Sequence, residues 1–241
     1  SHKGLGDNFL FKGDYGMARE HYRQSHKVAP DNYSKFNALL LEATVYLHED
    51  NLDEAIQVMN RYIELAKEKD LPRYHIYGLG HKGYIFTEMG KGREGLKYYR
   101  QAINMIETAD LDEPVRENLR PYGQVWEFYA LTGNGNMQEA ETKQEDCEHL
   151  LANCKKPDLV KMYHAACGIK ELKKGNYQEA LTYFENSWKN HPVVYYYTGR
   201  ALEKDGKKEE ARKWYHKVAR HYKNSLELAV TRNRALAGLK E

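Results

Sequence analysis

Two groups of residues have types and spacings that invite a chemical reading. Gly78-Leu79-Gly80-His81-Lys82-Gly83 spells G-x-G-x-x-G, the pattern whose backbone amides hold a pyrophosphate at a helix N-terminus. That chemistry needs a strand before the motif and an acidic residue downstream in a βαβ unit. Neither context is present, and the motif falls inside a helical stretch. Three glycines in one helix cost roughly 1 kcal/mol each against alanine, so a close backbone approach by a partner helix or a ligand is expected there. Cys147, Cys154, His164 and Cys167 bring together zinc-ligand types, but their spacing matches no common zinc pattern. Small apolar thiols packed between helices are the plainer reading. The eleven histidines include no H-E-x-x-H, and no Ser/His/Asp set stands at a recognisable spacing. The expectation is a chain that is not an enzyme and holds no cofactor and no metal. Asn32-Tyr33-Ser34 is a formal glycosylation triplet, relevant only to a secreted chain.

Composition narrows the classes further. The 241 residues carry 37 Lys+Arg against 35 Asp+Glu, a net charge of +2. A nucleic-acid binder held by bulk electrostatics would show a strong basic excess, so no nucleic-acid partner is expected. The basic stretch Lys204–Lys217 is interleaved with Glu203, Asp205, Glu209 and Glu210 and reads as a solvated helix face. No apolar run approaches the ~18 residues of a membrane helix, so no transmembrane segment is expected. Three cysteines make no disulfide framework. Twenty tyrosines and 12% aromatics argue for a packed chain rather than a disordered one. The chain starts Ser1-His2 with neither Met nor a signal peptide, which fits a trimmed or mature piece.

The elements that must position any site come from self-similarity. A turn glycine, a small residue five positions on, and a large residue four further recur as Gly13–Ala18–Tyr22, Gly90–Gly95–Tyr99, Gly175–Ala180–Phe184 and Gly206–Ala211–Tyr215. Gly135–Ala140 is a shorter copy, and Asp50–Ala55–Met59 lacks only the glycine. The small anchors at 18, 55, 95, 140, 180 and 211 are spaced 37, 40, 45, 40 and 31 residues apart, a solenoid period. Twelve residues upstream of each anchor stand Gly6, Ala43, Gly83, Phe128, Gly168 and Gly199, five of them small. Each unit therefore reads as two antiparallel helices that approach to roughly 8–10 Å where side chains are small. A glycine in the left-handed conformation reverses the chain between them.

Leu52–Ala66, Tyr98–Ile106 and Glu179–Trp188 carry apolar residues at three-and-four spacing and are predicted second helices. Asn51 and Asn176 stand where caps belong. Pro30 and Pro192 lie where a second helix should stop, and Pro72, Pro114 and Pro157 are expected in the longer connections. No sustained period-two alternation predicts a strand.

These residues resemble the tetratricopeptide repeat (TPR) family. The matches are Leu5, Gly6, Phe9, Ala18, Tyr22, Ser25 and Pro30 in the first unit, and Gly168, Gly175, Ala180, Phe184, Ser187 and Pro192 in the fifth. The sixth matches at Tyr195, Gly199, Leu202, Gly206, Ala211 and Tyr215. The resemblance covers about residues 2–223 and is weakest in the fourth unit, where Phe128 replaces the small residue and Gln144 the aromatic. It implies an all-α, right-handed superhelical solenoid forming a single domain over 1–241. Its repeats fall near 1–32, 36–70, 73–110, 114–154, 158–192 and 193–223, with a solvating cap helix over 225–239.

Family resemblance implies a non-enzymatic scaffold that binds a protein or peptide partner in the groove lined by first helices. The repeat register puts Asn37 and Thr44, Tyr77 and Tyr84, Tyr122 and Tyr129, and Tyr196 and Arg200 on that groove. Tyr77/Tyr122 and Tyr84/Tyr129 each repeat at an interval of 45. Tyrosine and asparagine suit a peptide, giving amphipathic area at low rotamer cost. The alternative role of each tyrosine is packing between neighbouring helices. The family's carboxylate clamp is not met, because Lys3 is followed by Asp7 where an asparagine belongs, and Tyr77 and His81 stand where lysine and arginine would. The alternative function is a sensor or regulatory module of a larger protein that binds a signalling peptide. Self-association through an uncapped solenoid end is a further expectation.

Overall fold

A computed structural model describes residues 1–152 and 154–240. Among these residues there are thirteen α-helices and no strand. They pair as α1 (His2–Phe11) with α2 (Tyr15–Lys27), α3 (Asn32–His48) with α4 (Leu52–Glu68), and α5 (Pro72–Glu88) with α6 (Gly92–Thr108). The remaining pairs are α7 (Glu113–Asn134) with α8 (Met137–Leu151), α9 (Pro157–Lys174) with α10 (Tyr177–Glu185), and α11 (Pro192–Lys204) with α12 (Lys208–Ala219). The thirteenth, α13, spans Leu226–Gly238. Each helix packs on the next in chain order, which makes an all-α, TPR-like solenoid.

All six hairpin turns use the same device. Gly13, Gly90, Gly135, Gly175 and Gly206 have φ between 76° and 88°, and Asp50 takes φ 55° in the unit that lacks the glycine. The same hydrogen bond closes each turn, as from Asp14 N to the Phe9 carbonyl (2.9 Å) and from Lys207 N to the Leu202 carbonyl (2.8 Å). This is the bond that satisfies an orphan carbonyl at a helix C-terminus.

The small positions are contact points. Ala18, Ala55, Ala140, Ala180 and Ala211 are fully buried. A Cβ added at Gly6 would lie 2.6 Å from the Tyr22 ring, and one at Gly83 would lie 2.9 Å from the Tyr99 ring. Gly168 meets Phe184 and Gly199 meets Tyr215 in the same way. In each pair the glycine on the first helix is the socket for the aromatic sixteen positions later. The fourth unit inverts the sizes: Phe128 is buried against Tyr163 at 5.8 Å, and Gln144, at the aromatic's position, accepts a hydrogen bond from Lys170.

Three local expectations change. Pro72, Pro114 and Pro157 sit in the first turns of α5, α7 and α9 instead of in the connections, where a missing N–H is no loss. Asn51 accepts from Glu54 N at 3.3 Å as a cap, but the Asn176 amide donates to the Glu171 carboxylate at 2.7 Å instead. The helix predicted over Glu179–Trp188 stops at Glu185, leaving Trp188 in the connection to α11.

The largest difference concerns α13. Instead of only closing the solenoid end, it packs on α3, α5, α11 and α12. Leu226, Ala229 and Val230 join Phe36, Leu39 and Leu47 of the second unit. Leu228 and Ala235 join Tyr195, Tyr196 and Tyr215 of the sixth. A cap needs one polar face, whereas α13 buries apolar residues on two sides and so must lie between two units. It lies along first helices, in the trough.

Candidate functional site

Glu88, at the end of α5, is the polar centre of the trough. Its carboxylate is buried and gathers partners from three other helices. Tyr129 of α7 donates its hydroxyl to Oε1. The Tyr197 hydroxyl of α11 lies 3.1 Å from both oxygens. Arg234 of α13 donates from Nη2 to Oε2 at 2.5 Å and from Nη1 to the Glu88 carbonyl at 3.2 Å. The Arg234 guanidinium also lies over the Tyr196 ring, 4.5 Å from its centre. A buried carboxylate is tolerated when it is paired and hydrogen-bonded in this way.

Polar contacts tie the rest of the C-terminal segment to the start of the chain. The Asn224 amide donates to the Tyr22 hydroxyl (3.0 Å) and to Thr44 Oγ1 (2.9 Å). Asn233 donates to the His48 carbonyl at 3.0 Å, and the Arg232 guanidinium lies over the Phe11 ring.

Beside this hub the trough keeps an opening of about 210 Å³. Tyr77, Gly80, His81 and Tyr84 of α5 form one wall, and Trp126 and Tyr129 of α7 another. Trp188 and His191 close it from the α10–α11 connection, and Leu226 and Glu227 from the first turn of α13. Tyr84 stacks on Tyr129 at 5.8 Å, and Trp188 on His191 at 4.5 Å. A Cβ at Gly80 would have the Trp126 ring as its nearest neighbour, at 3.4 Å. Gly80 thus faces the opening, while Gly78 and Gly83 of the same motif are filled by Ile63, Tyr62 and Tyr99.

The polar atoms of this opening are underused. The Tyr84 hydroxyl and His191 Nδ1 are buried with no hydrogen-bond partner. Burial pushes the His81 imidazole down to about 4, against the pull of Glu227. It lowers His191 likewise, so both rings are neutral at pH 7. Burial also holds the Tyr84 and Tyr129 hydroxyls well above the usual phenol range. Glu227 forms no ion pair among the described residues. Neutral aromatic walls with one free carboxylate suit recognition of a side chain. Burial pushes the Cys147 and Cys167 thiols up to about 12, opposite to what a nucleophile or metal ligand requires.

Of the residues placed on the groove by register, Tyr77, Tyr84 and Tyr129 come together at the opening. Thr44 and Tyr196 are buried, met by Asn224 and Arg234 of the C-terminal segment. Asn37 is half-buried on α3. Arg200 pairs with Glu203 at 2.9 Å. Tyr122 lies outside the opening, with the Lys156 ammonium over its ring. Register alone misses Trp126, Trp188, His191 and Glu227. Trp188 and His191 are in a connection with no periodicity, and Glu227 belongs to a helix that no repeat rule places in the trough. Among the described residues, no helix is long and apolar enough to cross a membrane.

Comparison with solved structures finds a tetratricopeptide repeat protein from Parabacteroides merdae ATCC 43184, with 17% identity, TM-score 0.43, and coverage of 98% of this chain and 86% of that one. It also finds the TPR2AB domain of yeast Sti1 in complex with pHSP90, with 14% identity, TM-score 0.40, and coverage of 99% and 96%. No curated protein matches the chain. The tetratricopeptide repeat profile matches residues 3–69 and 168–225, which hold the first two units and most of the last two. With just over half of its residues matched and the same hairpin device in all six units, the chain belongs to the tetratricopeptide repeat family.

Proposed function

We propose that the protein is a peptide-binding interaction module that seats one anchor side chain of an extended partner in the trough opening. The observation that carries this reading is the convergence there of Tyr77, Tyr84, Tyr129, Trp126 and Trp188 with two buried polar atoms that have no partner. Buried polar groups are normally satisfied, and an apolar pocket with a few convergent polar groups is the usual form of a ligand site. Catalysis has little support, because the perturbed His81, His191, Tyr84 and Tyr129 of the opening are held neutral and none is poised as a nucleophile.

Selection of displayed random peptides on the full chain tests the reading. Gly80→Leu fills the opening from a helix position where an added Cβ has the Trp126 ring, at 3.4 Å, as its nearest neighbour. Selected peptides are expected to bind this variant at least tenfold more weakly while its melting temperature stays at or above that of the wild type. Equal binding to both would overturn the reading.

A second reading, a sensor whose ligand shifts α13, rests on Leu226 and Glu227 belonging both to the opening and to α13. A ligand contacting them has differential contacts with α13 docked and released, which a population shift requires. Hydrogen exchange of residues 226–238 with and without a selected peptide tests it. Unchanged exchange at saturation would leave the scaffold alone.

A further inference from the structure

The occupied half of the trough displays a pattern that the open half repeats. Arg234 is held by the Glu88 carboxylate and the face of Tyr196. In the opening, Glu227 has no ion-pair partner among the described residues, and the faces of Tyr77, Tyr84, Trp126 and Trp188 surround the space. Tyr84 and His191 line the space, and the Tyr84 hydroxyl and His191 Nδ1, both able to accept, are buried without partners. Among the described residues, one lining side chain is already bonded to an exposed cation: the Tyr77 hydroxyl accepts from Arg73 Nε at 2.9 Å.

We propose that the opening takes the guanidinium of an arginine side chain from a peptide lying in the trough, with Glu227 as counter-ion and Tyr84 and His191 as acceptors. This deepens the peptide-binding reading and rests on it. Three features select the guest. Glu227, a half-buried carboxylate with no ion-pair partner among the described residues, calls for a single positive charge. Aromatic faces attract a cation, and a planar guanidinium stacks on them better than a compact ammonium does. Two acceptors beside a carboxylate call for several N–H donors at fixed angles, which the guanidinium fork supplies. With both lining histidines neutral, no positive side chain inside the opening competes with the guest.

The test is a positional hexapeptide array in an alanine–glycine background, with every residue type and citrulline at each position, overlaid with labelled full chain. Citrulline keeps nearly the shape of arginine and loses its charge. At one position the arginine peptide is expected to bind at least tenfold more tightly than its citrulline, leucine and glutamate counterparts. Glu227→Gln, with its helical signal and melting temperature checked, is expected to level arginine and citrulline. Equal binding of arginine and citrulline, or a preference that survives Glu227→Gln, would overturn the proposal. If leucine or tryptophan wins and Gly80→Leu abolishes that signal, the arginine assignment falls while the peptide-binding reading stands. If no signal is lost in Gly80→Leu, or none appears, both fall.

Discussion

Arg234 and Glu88 meet at 2.5 Å across the trough although 146 positions separate them in the chain. The contact joins the last helix to the third repeat and makes α13 part of the fold. Removing one member of a buried pair leaves the other uncompensated, which typically costs 3–5 kcal/mol. Tyr129 and Tyr197 still donate to Glu88, so Arg234→Gln is expected to cost less, about 2–3 kcal/mol in urea unfolding. The double variant with Glu88→Gln should lose less than the sum of the singles. Additive losses would mean that the two residues act independently.

Gly80 and Gly83 share a helix but differ in what an added Cβ meets. At Gly83 it would strike the Tyr99 ring at 2.9 Å, while at Gly80 it would touch Trp126 at 3.4 Å. Gly80→Ala should therefore recover helix propensity, up to about 1 kcal/mol. Gly83→Ala should destabilise by about 1–3 kcal/mol through overpacking. Thermal unfolding of the pair checks the opposite signs.

Asp50, with φ 55°, carries a side-chain penalty for its conformation, as Asp70 does with φ 49° in the turn between α4 and α5. Asp50→Gly should stabilise the second unit by a few tenths to about 1 kcal/mol, the cost of placing an L side chain in the left-handed region. Unchanged or lowered stability in chemical unfolding would contradict this.

The legible part of the fold was the part repeated locally. The turn glycines, the small anchors and the sixteen-residue socket interval all act within one hairpin, so sequence spacing alone marks them. The Phe128–Gln144 inversion was visible as a departure, but its size exchange needs Tyr163 and Lys170 from the next unit. The place of α13 was not legible, because it depends on where a superhelix brings α3 and α11, 144 or more positions apart in sequence. The same distance hid Glu227 from the candidate groove, while Tyr77, Tyr84 and Tyr129 followed from register.

His48 gives the fold a pH dependence with a definite sign. Burial, and then the neighbouring Arg232 charge, push its imidazole down to about 4, while the unfolded chain takes up that proton near 6.5. Between those values the unfolded state binds more protons, so stability rises as pH rises. The contribution is complete above about 6.5 and is lost as pH falls through about 4, up to roughly 3 kcal/mol. Because Asn233 binds the His48 carbonyl, docking of α13 should weaken in the same window. Urea midpoints at several pH values check this, and His48→Leu should flatten the slope.

The most direct measurement uses the tryptophans. Trp126 and Trp188 line the trough opening, and Trp214, the third, lies outside it. In a Trp214→Phe variant excited at wavelengths too long for tyrosine, only the two lining tryptophans emit. Titration with a peptide selected on the full chain should change that emission saturably, with the affinity found by calorimetry, and Gly80→Leu should abolish both signals. Calorimetric binding that leaves the emission unchanged and survives Gly80→Leu would place the partner elsewhere and contradict the trough as the site.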